Sequence, residues 1–68
     1  MARFEQFEVW GLAGSAWELV AAFPNFEIAS AVARNRGRGV RLLHVIYDNG
    51  RAIEQEILFE IGSPREAS

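Results

Sequence analysis

Four arginines within eight positions are the most distinctive group of side chains that could do chemistry. They are Arg34, Arg36, Arg38 and Arg41, separated in part by Gly37 and Gly39. Guanidinium groups bind phosphate through paired hydrogen bonds, and glycines let backbone amides approach it. The segment has neither of the common glycine-rich phosphate-loop spacings, and it contains no aromatic residue that would stack on a base. Its expected role is to end a helix, with an anion or nucleic-acid contact as the alternative.

His44 is the single histidine of the chain, and its ordinary pKa would lie near neutrality. Catalysis would require a nucleophile or a second acid–base group within hydrogen-bond reach of it. The four serines lie in unconnected contexts: Ser15, Ser30, Ser63 and Ser68. We therefore expect His44 to be a strand residue with a hydrogen-bonding neighbour, and we expect no catalytic site and no enzyme.

Three glutamates alternate along the last apolar segment, at Glu54, Glu56 and Glu60. Paired carboxylates act as acid and base in glycoside hydrolysis, but that chemistry needs a cleft around the substrate. One short sheet scarcely provides a cleft. A solvated strand face that discourages edge-to-edge aggregation is the expected role of these residues.

Composition excludes several kinds of site. The chain has 68 residues, no cysteine and one histidine, so disulfides, thiolate zinc sites and iron–sulfur clusters are excluded, and we expect no metal site and no cofactor. A formal charge of −2 gives no general attraction to nucleic acid or anionic lipid. The sequence shows neither a signal peptide nor an apolar run long enough to cross a membrane, which favours a cytoplasmic protein.

The segment from Val40 to Ile61 is predicted to be a β-hairpin because Asn49-Gly50 lies between runs rich in β-branched and aromatic residues. In its second strand the apolar residues Ile53, Ile57, Phe59 and Ile61 are odd-numbered, whereas the glutamates are even-numbered. This alternation predicts one buried and one solvated face. A three-residue turn would place His44 opposite Glu54, and a two-residue turn would place it opposite Gln55.

A helix is predicted over Asn25–Gly37. Asn25 is a suitable N-cap after Pro24, and Glu27 suits the positive end of the helix. Arg34 and Arg36 suit the negative end, and Gly37 is expected to close the helix in the left-handed conformation. Ile28 and Val32 lie one turn apart, and the small side chains of Ala29 and Ala33 would let the helix approach a sheet closely.

The first 24 residues allow two interpretations. A hairpin of Phe4–Leu12 and Ala16–Phe23 with a three-residue loop, pairing Leu12 with Ala16, separates apolar from acidic residues best. In that register Trp10 and Val20 share one face, and Trp17 lies on the other. The alternative is a helix that starts at Ser15, because Ser15 and Glu18 have capping-box spacing.

The preferred fold is therefore an α+β domain with ββαββ order, in which a four-stranded antiparallel sheet carries one helix on one face. The alternative is βααββ or βαββ with a helix from Ser15. Residues 1–61 are expected to form a single domain and residues 62–68 a flexible tail.

One helix covers only one face of such a sheet, so the other face is expected to expose apolar residues. We expect Trp10, Leu12 and Val20 to form a protein interface there, together with either Leu43, Val45 and Tyr47 or Leu42 and Ile46. The sequence thus predicts a small non-enzymatic interaction module that forms a homodimer or docks on a larger assembly. The alternative is a nucleic-acid-binding domain that uses Arg34, Arg36, Arg38 and Arg41.

Overall fold

The computed structural model describes residues 3–62, which form two β-hairpins joined by a helix. The elements are β1 (Arg3–Ala13), β2 (Ala16–Phe23), α1 (Phe26–Arg36), β3 (Val40–Asp48) and β4 (Arg51–Ile61). The strands form one antiparallel sheet in the order β2-β1-β3-β4. The predicted ββαββ fold is confirmed, and the alternative helix from Ser15 is wrong. Of the predicted tail, residues 63–68 lie outside the described residues.

Helix α1 begins and ends where its capping residues predict. The Asn25 side chain accepts a hydrogen bond from the backbone amide of Ile28 at 3.0 Å, which satisfies one free donor of the first turn. Gly37 follows the last turn with φ 92° and ψ −111°, so its φ is positive but its backbone is not in the predicted left-handed helical conformation. No helix in residues 3–62 has the length and apolar character needed to cross a membrane.

The core lies between α1 and one face of the sheet. Ala29 and Ala33 are fully buried, and their small side chains bring the helix close to the central strands. The packed sheet residues are Val9, Val40 and Leu42, all with no exposed surface. Phe7, Phe23, Val32 and Phe59 surround this cluster. Ile28, which was expected near this helix face, is instead 52% exposed.

The first hairpin has a different register from the predicted one. Ala13 pairs with Ala16, so the loop contains two residues, not three. The register then shifts between Val9 and Trp10, which leaves Val20 as an extra residue in a bulge. The extra residue of this hairpin, predicted in the loop, therefore lies within β2 as a bulge. Because the loop has two residues, Trp17 pairs with Leu12 and shares its face.

The second hairpin turns through Asn49 and Gly50, whose φ angles of 54° and 83° are those of a tight two-residue turn. Two bulges in β4 then change which residues face the helix, because the register shifts at Leu42/Leu43 and at Ile46/Tyr47. His44 consequently pairs with Glu56, and neither predicted partner is right.

The same bulges overturn the predicted buried face of β4. Phe59 pairs with Leu42 of the core, but Ile57 pairs with Leu43 on the opposite face. Ile53 and Ile57 are 48% and 51% exposed. Helix α1 packs on β1, β3 and β2, and it reaches β4 through Arg34, whose guanidinium lies 5.0 Å from the centre of the Phe59 ring. Most of β4 is therefore exposed to solvent.

Candidate protein-interaction surface

The sheet surface opposite α1 is the candidate site, and we call it the helix-free face. The core residues Val9 and Leu42 point towards α1, so their neighbours along each strand point away from it. The pairing register extends this assignment to the outer strands. The helix-free face consists of Phe4, Gln6, Glu8, Trp10 and Leu12 in β1; Trp17, Leu19 and Ala22 in β2; Arg41, Leu43, Val45 and Tyr47 in β3; and Ala52, Gln55, Ile57 and Glu60 in β4.

Two of the three predicted interface residues, Trp10 and Leu12, lie on this face. Val20 does not, because it points to the side of α1, next to Gly11: a Cβ added at Gly11 would lie 3.2 Å from the Val20 side chain and 3.2 Å from the Arg36 guanidinium. Leu19 pairs with Trp10 in its place. Two alternative groups of β3 residues were predicted for this face, and the group that lies on it is Leu43, Val45 and Tyr47.

Sequence reasoning missed Trp17 and Leu19 because the loop length was misjudged. Gly14-Ser15 is itself a recognised sequence for a two-residue hairpin loop, so the signal was present. With that loop Leu12 pairs with Trp17 and both point to the same side. Leu19 then follows on the same side by simple alternation, since the register is regular from the loop to Trp10.

Several large apolar side chains on the helix-free face are about half exposed. Phe4 is 50% exposed, Leu19 50% and Ile57 51%. The Phe4 ring stacks on Tyr47, with the ring centres 5.2 Å apart. These residues lie on β1, β2 and β4, so exposed apolar surface extends across the whole width of the sheet. Several exposed apolar side chains on one face of a sheet are typical of an interaction site.

A shallow cavity of about 190 Å³ lies on this face between Trp10, Trp17, Arg41, Leu43 and Gln55. The Arg41 guanidinium covers the Trp17 ring at 4.1 Å from its centre. Its Nε lies 3.1 Å from a carboxylate oxygen of Glu60, to which it donates a hydrogen bond. Because the ion pair neutralises its own charge, the cavity presents mainly aromatic and aliphatic surface to a partner.

Glu8 lies near the middle of the face and is only 3% exposed, although no second layer covers it. Three neighbouring side chains donate hydrogen bonds to its carboxylate: Tyr47 Oη at 2.5 Å, and Gln6 Nε2 and Trp10 Nε1 at 2.9 Å. Burial raises the pKa of Glu8, but the three hydrogen bonds outweigh burial, and the pKa lies below its ordinary value of 4.5. Glu8 is therefore a stabilised carboxylate.

Tyr47 completes this network as the donor. Its hydrogen bond to Glu8, together with burial and the negative charge of Glu8, raises the pKa of Tyr47 above 10.0. At neutral pH the pair thus consists of an ionised acid and a protonated phenol. Within residues 3–62, no buried polar side-chain atom lacks a hydrogen-bond partner. The buried polar groups at the centre of the face thus need no hydrogen bond from a partner.

His44 lies on the other side of the sheet, next to the helix-packed core. Its Nε2 is 2.6 Å from a carboxylate oxygen of Glu5, and its ring lies 4.9 Å from the ring of Phe7. These are the neighbours of a structural strand residue. Within the described part of the chain, no three acidic, histidine or cysteine side chains converge as metal ligands would.

The four arginines do not form one surface. Arg34 lies over Phe59 and donates a hydrogen bond to Ser30 Oγ at 3.1 Å, on the helix side. Arg36 lies above Gly11 on that same side. Arg41 is on the helix-free face, where Trp17 and Glu60 engage it. Arg38 is exposed in the connection between α1 and β3.

The chain matches no known family model, no curated protein and no solved structure, so the function has to be inferred from the geometry of the site.

Proposed function

We propose that this protein is a non-enzymatic protein–protein interaction module that binds through its helix-free face. The observation that carries the proposal is an apolar sheet face that no second layer within residues 3–62 covers. Its half-exposed side chains Phe4, Leu19 and Ile57 surround a hydrogen-bonded centre at Glu8. Covering this face removes apolar surface from water and leaves the internal hydrogen bonds intact.

The cavity between Trp10 and Trp17 provides an anchoring point for a partner side chain. Aromatic and arginine residues contribute most to binding at protein interfaces, particularly where they form pockets that exclude water. Here two tryptophans and one arginine lie together around the cavity, next to Leu43 and Gln55. An apolar side chain of a partner would fill the cavity and contact both indole rings.

A protein partner fits this face better than nucleic acid does. Among the described residues, the helix-free face has one arginine, Arg41, which is paired with Glu60, and the nearby Glu8 carries a further negative charge. Arg34 and Arg36 lie on the other side of the sheet, so the four arginines are divided between two surfaces and do not contact one phosphate backbone together.

Site-specific photo-crosslinking in the producing cell tests the proposal. A benzophenone amino acid replaces Leu19, on the helix-free face, or Ile28, on the outer surface of α1. The two positions are matched controls because they are 50% and 52% exposed. We expect a discrete protein adduct from position 19 and none above background from position 28, because the proposed interface includes only Leu19.

Equal crosslinking from the two positions, or none from position 19, would contradict binding through the helix-free face. The mass of the adduct carries separate information about the identity of the partner. An adduct of twice the chain mass and an adduct with a different protein both support the interaction module, and they differ in the partner they identify.

A further inference from the structure

The size of the helix-free face limits what can cover it. Four strands about 4.8 Å apart give a width of roughly 19 Å, and 8–11 residues at about 3.3 Å each give a length of roughly 26–36 Å. The planar area is therefore about 500–700 Å². Two such faces in contact would bury about 1,000–1,400 Å², which reaches the lower range of specific protein interfaces, about 1,200–2,000 Å².

The charges on the face also limit the partner. Its ionisable groups at neutral pH are Glu8, Arg41 and Glu60, and each has a partner within the chain. Arg41 and Glu60 neutralise each other, and three donors surround Glu8. The two partly exposed charges of the face cancel each other, and the remaining negative charge, on Glu8, is only 3% exposed, so the described face does not favour a strongly charged partner. Its surface is complementary to another apolar face whose polar groups are already satisfied.

We propose that the partner is a second copy of this chain, bound face to face about a two-fold axis that lies between the two sheets. This inference rests on the proposed function and identifies the partner of the same surface. The dimer has four layers in the order helix, sheet, sheet, helix, and the two sheets pack about 10 Å apart. Both sides of each sheet are then covered, once by α1 and once by the second copy.

Two-fold symmetry makes the contact isologous, so each copy offers the same cavity and the same projecting side chains. Leu19 and Ile57 project from the two outer strands, on either side of the cavity. In the dimer, an apolar side chain of the second copy fills the cavity between Trp10 and Trp17. Both tryptophans of the chain lie on the helix-free face, so both leave water when the dimer forms.

Sedimentation velocity of the purified full chain tests the inference, over concentrations from micromolar to millimolar. We expect the 7.6 kDa chain to sediment as a species of twice that mass at the higher concentrations. Leu19→Asp and Ile57→Asp should each weaken association at least tenfold, since each places a charge in the interface. Ile28→Asp is the matched control and should leave the dissociation constant unchanged. Far-ultraviolet circular dichroism verifies that each variant keeps its fold.

Tryptophan fluorescence of the unmodified chain provides a second measurement that does not depend on any variant. Dilution from the dimeric range should shift the emission to longer wavelength, because dissociation returns Trp10 and Trp17 to water. A monomer at millimolar concentration would overturn the second-copy inference, and the interaction module would stand if position 19 crosslinks to another protein. A dimer that both aspartate variants leave intact, or whose emission does not change on dilution, would also overturn the inference.

Discussion

The two faces of the sheet bury their side chains in different ways. On the side of α1, Leu42 has no exposed surface and packs with Val9 and two alanines of the helix. On the helix-free face, the adjacent residue Leu43 is half-buried and lines an open cavity. A covering layer thus permits a purely apolar cluster, whereas the uncovered face combines apolar residues with a hydrogen-bonded polar network.

This difference shows how a residue can be buried without a second layer. Glu8 is 3% exposed and Val45 2%, and both lie on the helix-free face. Long neighbouring side chains cover Glu8, and three of them are also its hydrogen-bond donors. The network holds the Glu8, Tyr47, Gln6 and Trp10 side chains in place before any partner binds, and such ordering lowers the cost of association.

The largest effect is expected from Leu42→Ala, which should reduce the free energy of unfolding by about 2–5 kcal/mol, because it leaves a cavity under α1. Leu43→Ala is the matched control, since the same residue type lies one position along the strand and on the opposite face. It should cost clearly less stability and instead weaken self-association. Urea denaturation at low protein concentration, with sedimentation alongside, measures both quantities. Equal loss of stability from the two variants would contradict the distinction between the faces.

Next in size is Tyr47→Phe, which removes the donor at 2.5 Å from Glu8. Hydrogen bonds to a charged group contribute about 1.5–3 kcal/mol, so we expect a loss of unfolding free energy in this range. A double-mutant cycle with Glu8→Gln gives the coupling between the two side chains. If the losses simply add, Tyr47 does not act through Glu8.

A smaller effect is expected from Asn25→Ala, which removes the cap that holds the start of the covering helix. The expected cost is about 1 kcal/mol, measured by thermal or urea unfolding. Because Asn25 lies outside the helix-free face, the dissociation constant of the dimer should not change. A change in association without a change in stability would show that the two faces are not independent.

The smallest expected effect is the change of the unfolding free energy with pH that Glu8 causes. It is small because burial raises the pKa of Glu8 while the hydrogen bonds lower it. Its pKa is lowered in the folded protein, so its stabilising contribution is present above pH 4.5 and is lost as pH falls through the lower folded value. The raised pKa of Tyr47 gives a contribution present below pH 10.0 and lost as pH rises through the folded value. The difference in unfolding free energy between the unmodified chain and Glu8→Gln should therefore shrink in acid. A difference in unfolding free energy that grows in acid would contradict a lowered pKa of Glu8 in the folded protein.

Much of the fold was predictable because its signals are local. The cap at Asn25, the glycine at the end of α1 and the Asn49-Gly50 turn each act within a few residues, and the structure contains each of them. Trp10 and Leu12 were placed correctly on the helix-free face because alternation in β1 is undisturbed next to β3. Leu19 was missed, and Val20 was misplaced, because the loop has two residues where three were predicted, which moves the start of β2 by one position and exchanges the faces of these side chains.

The sequence by itself determined the order of the elements, the limits of the helix and the presence of more apolar strand surface than one helix can cover. The tertiary structure alone decided which side chains share a face, because bulges in β2 and β4 depend on pairing with strands that are distant in sequence. It also brought Tyr47 to Glu8 and Arg41 to Trp17, which lie on different hairpins. A local pattern cannot specify such contacts, since side-chain alternation fixes the faces of a strand only until the register shifts.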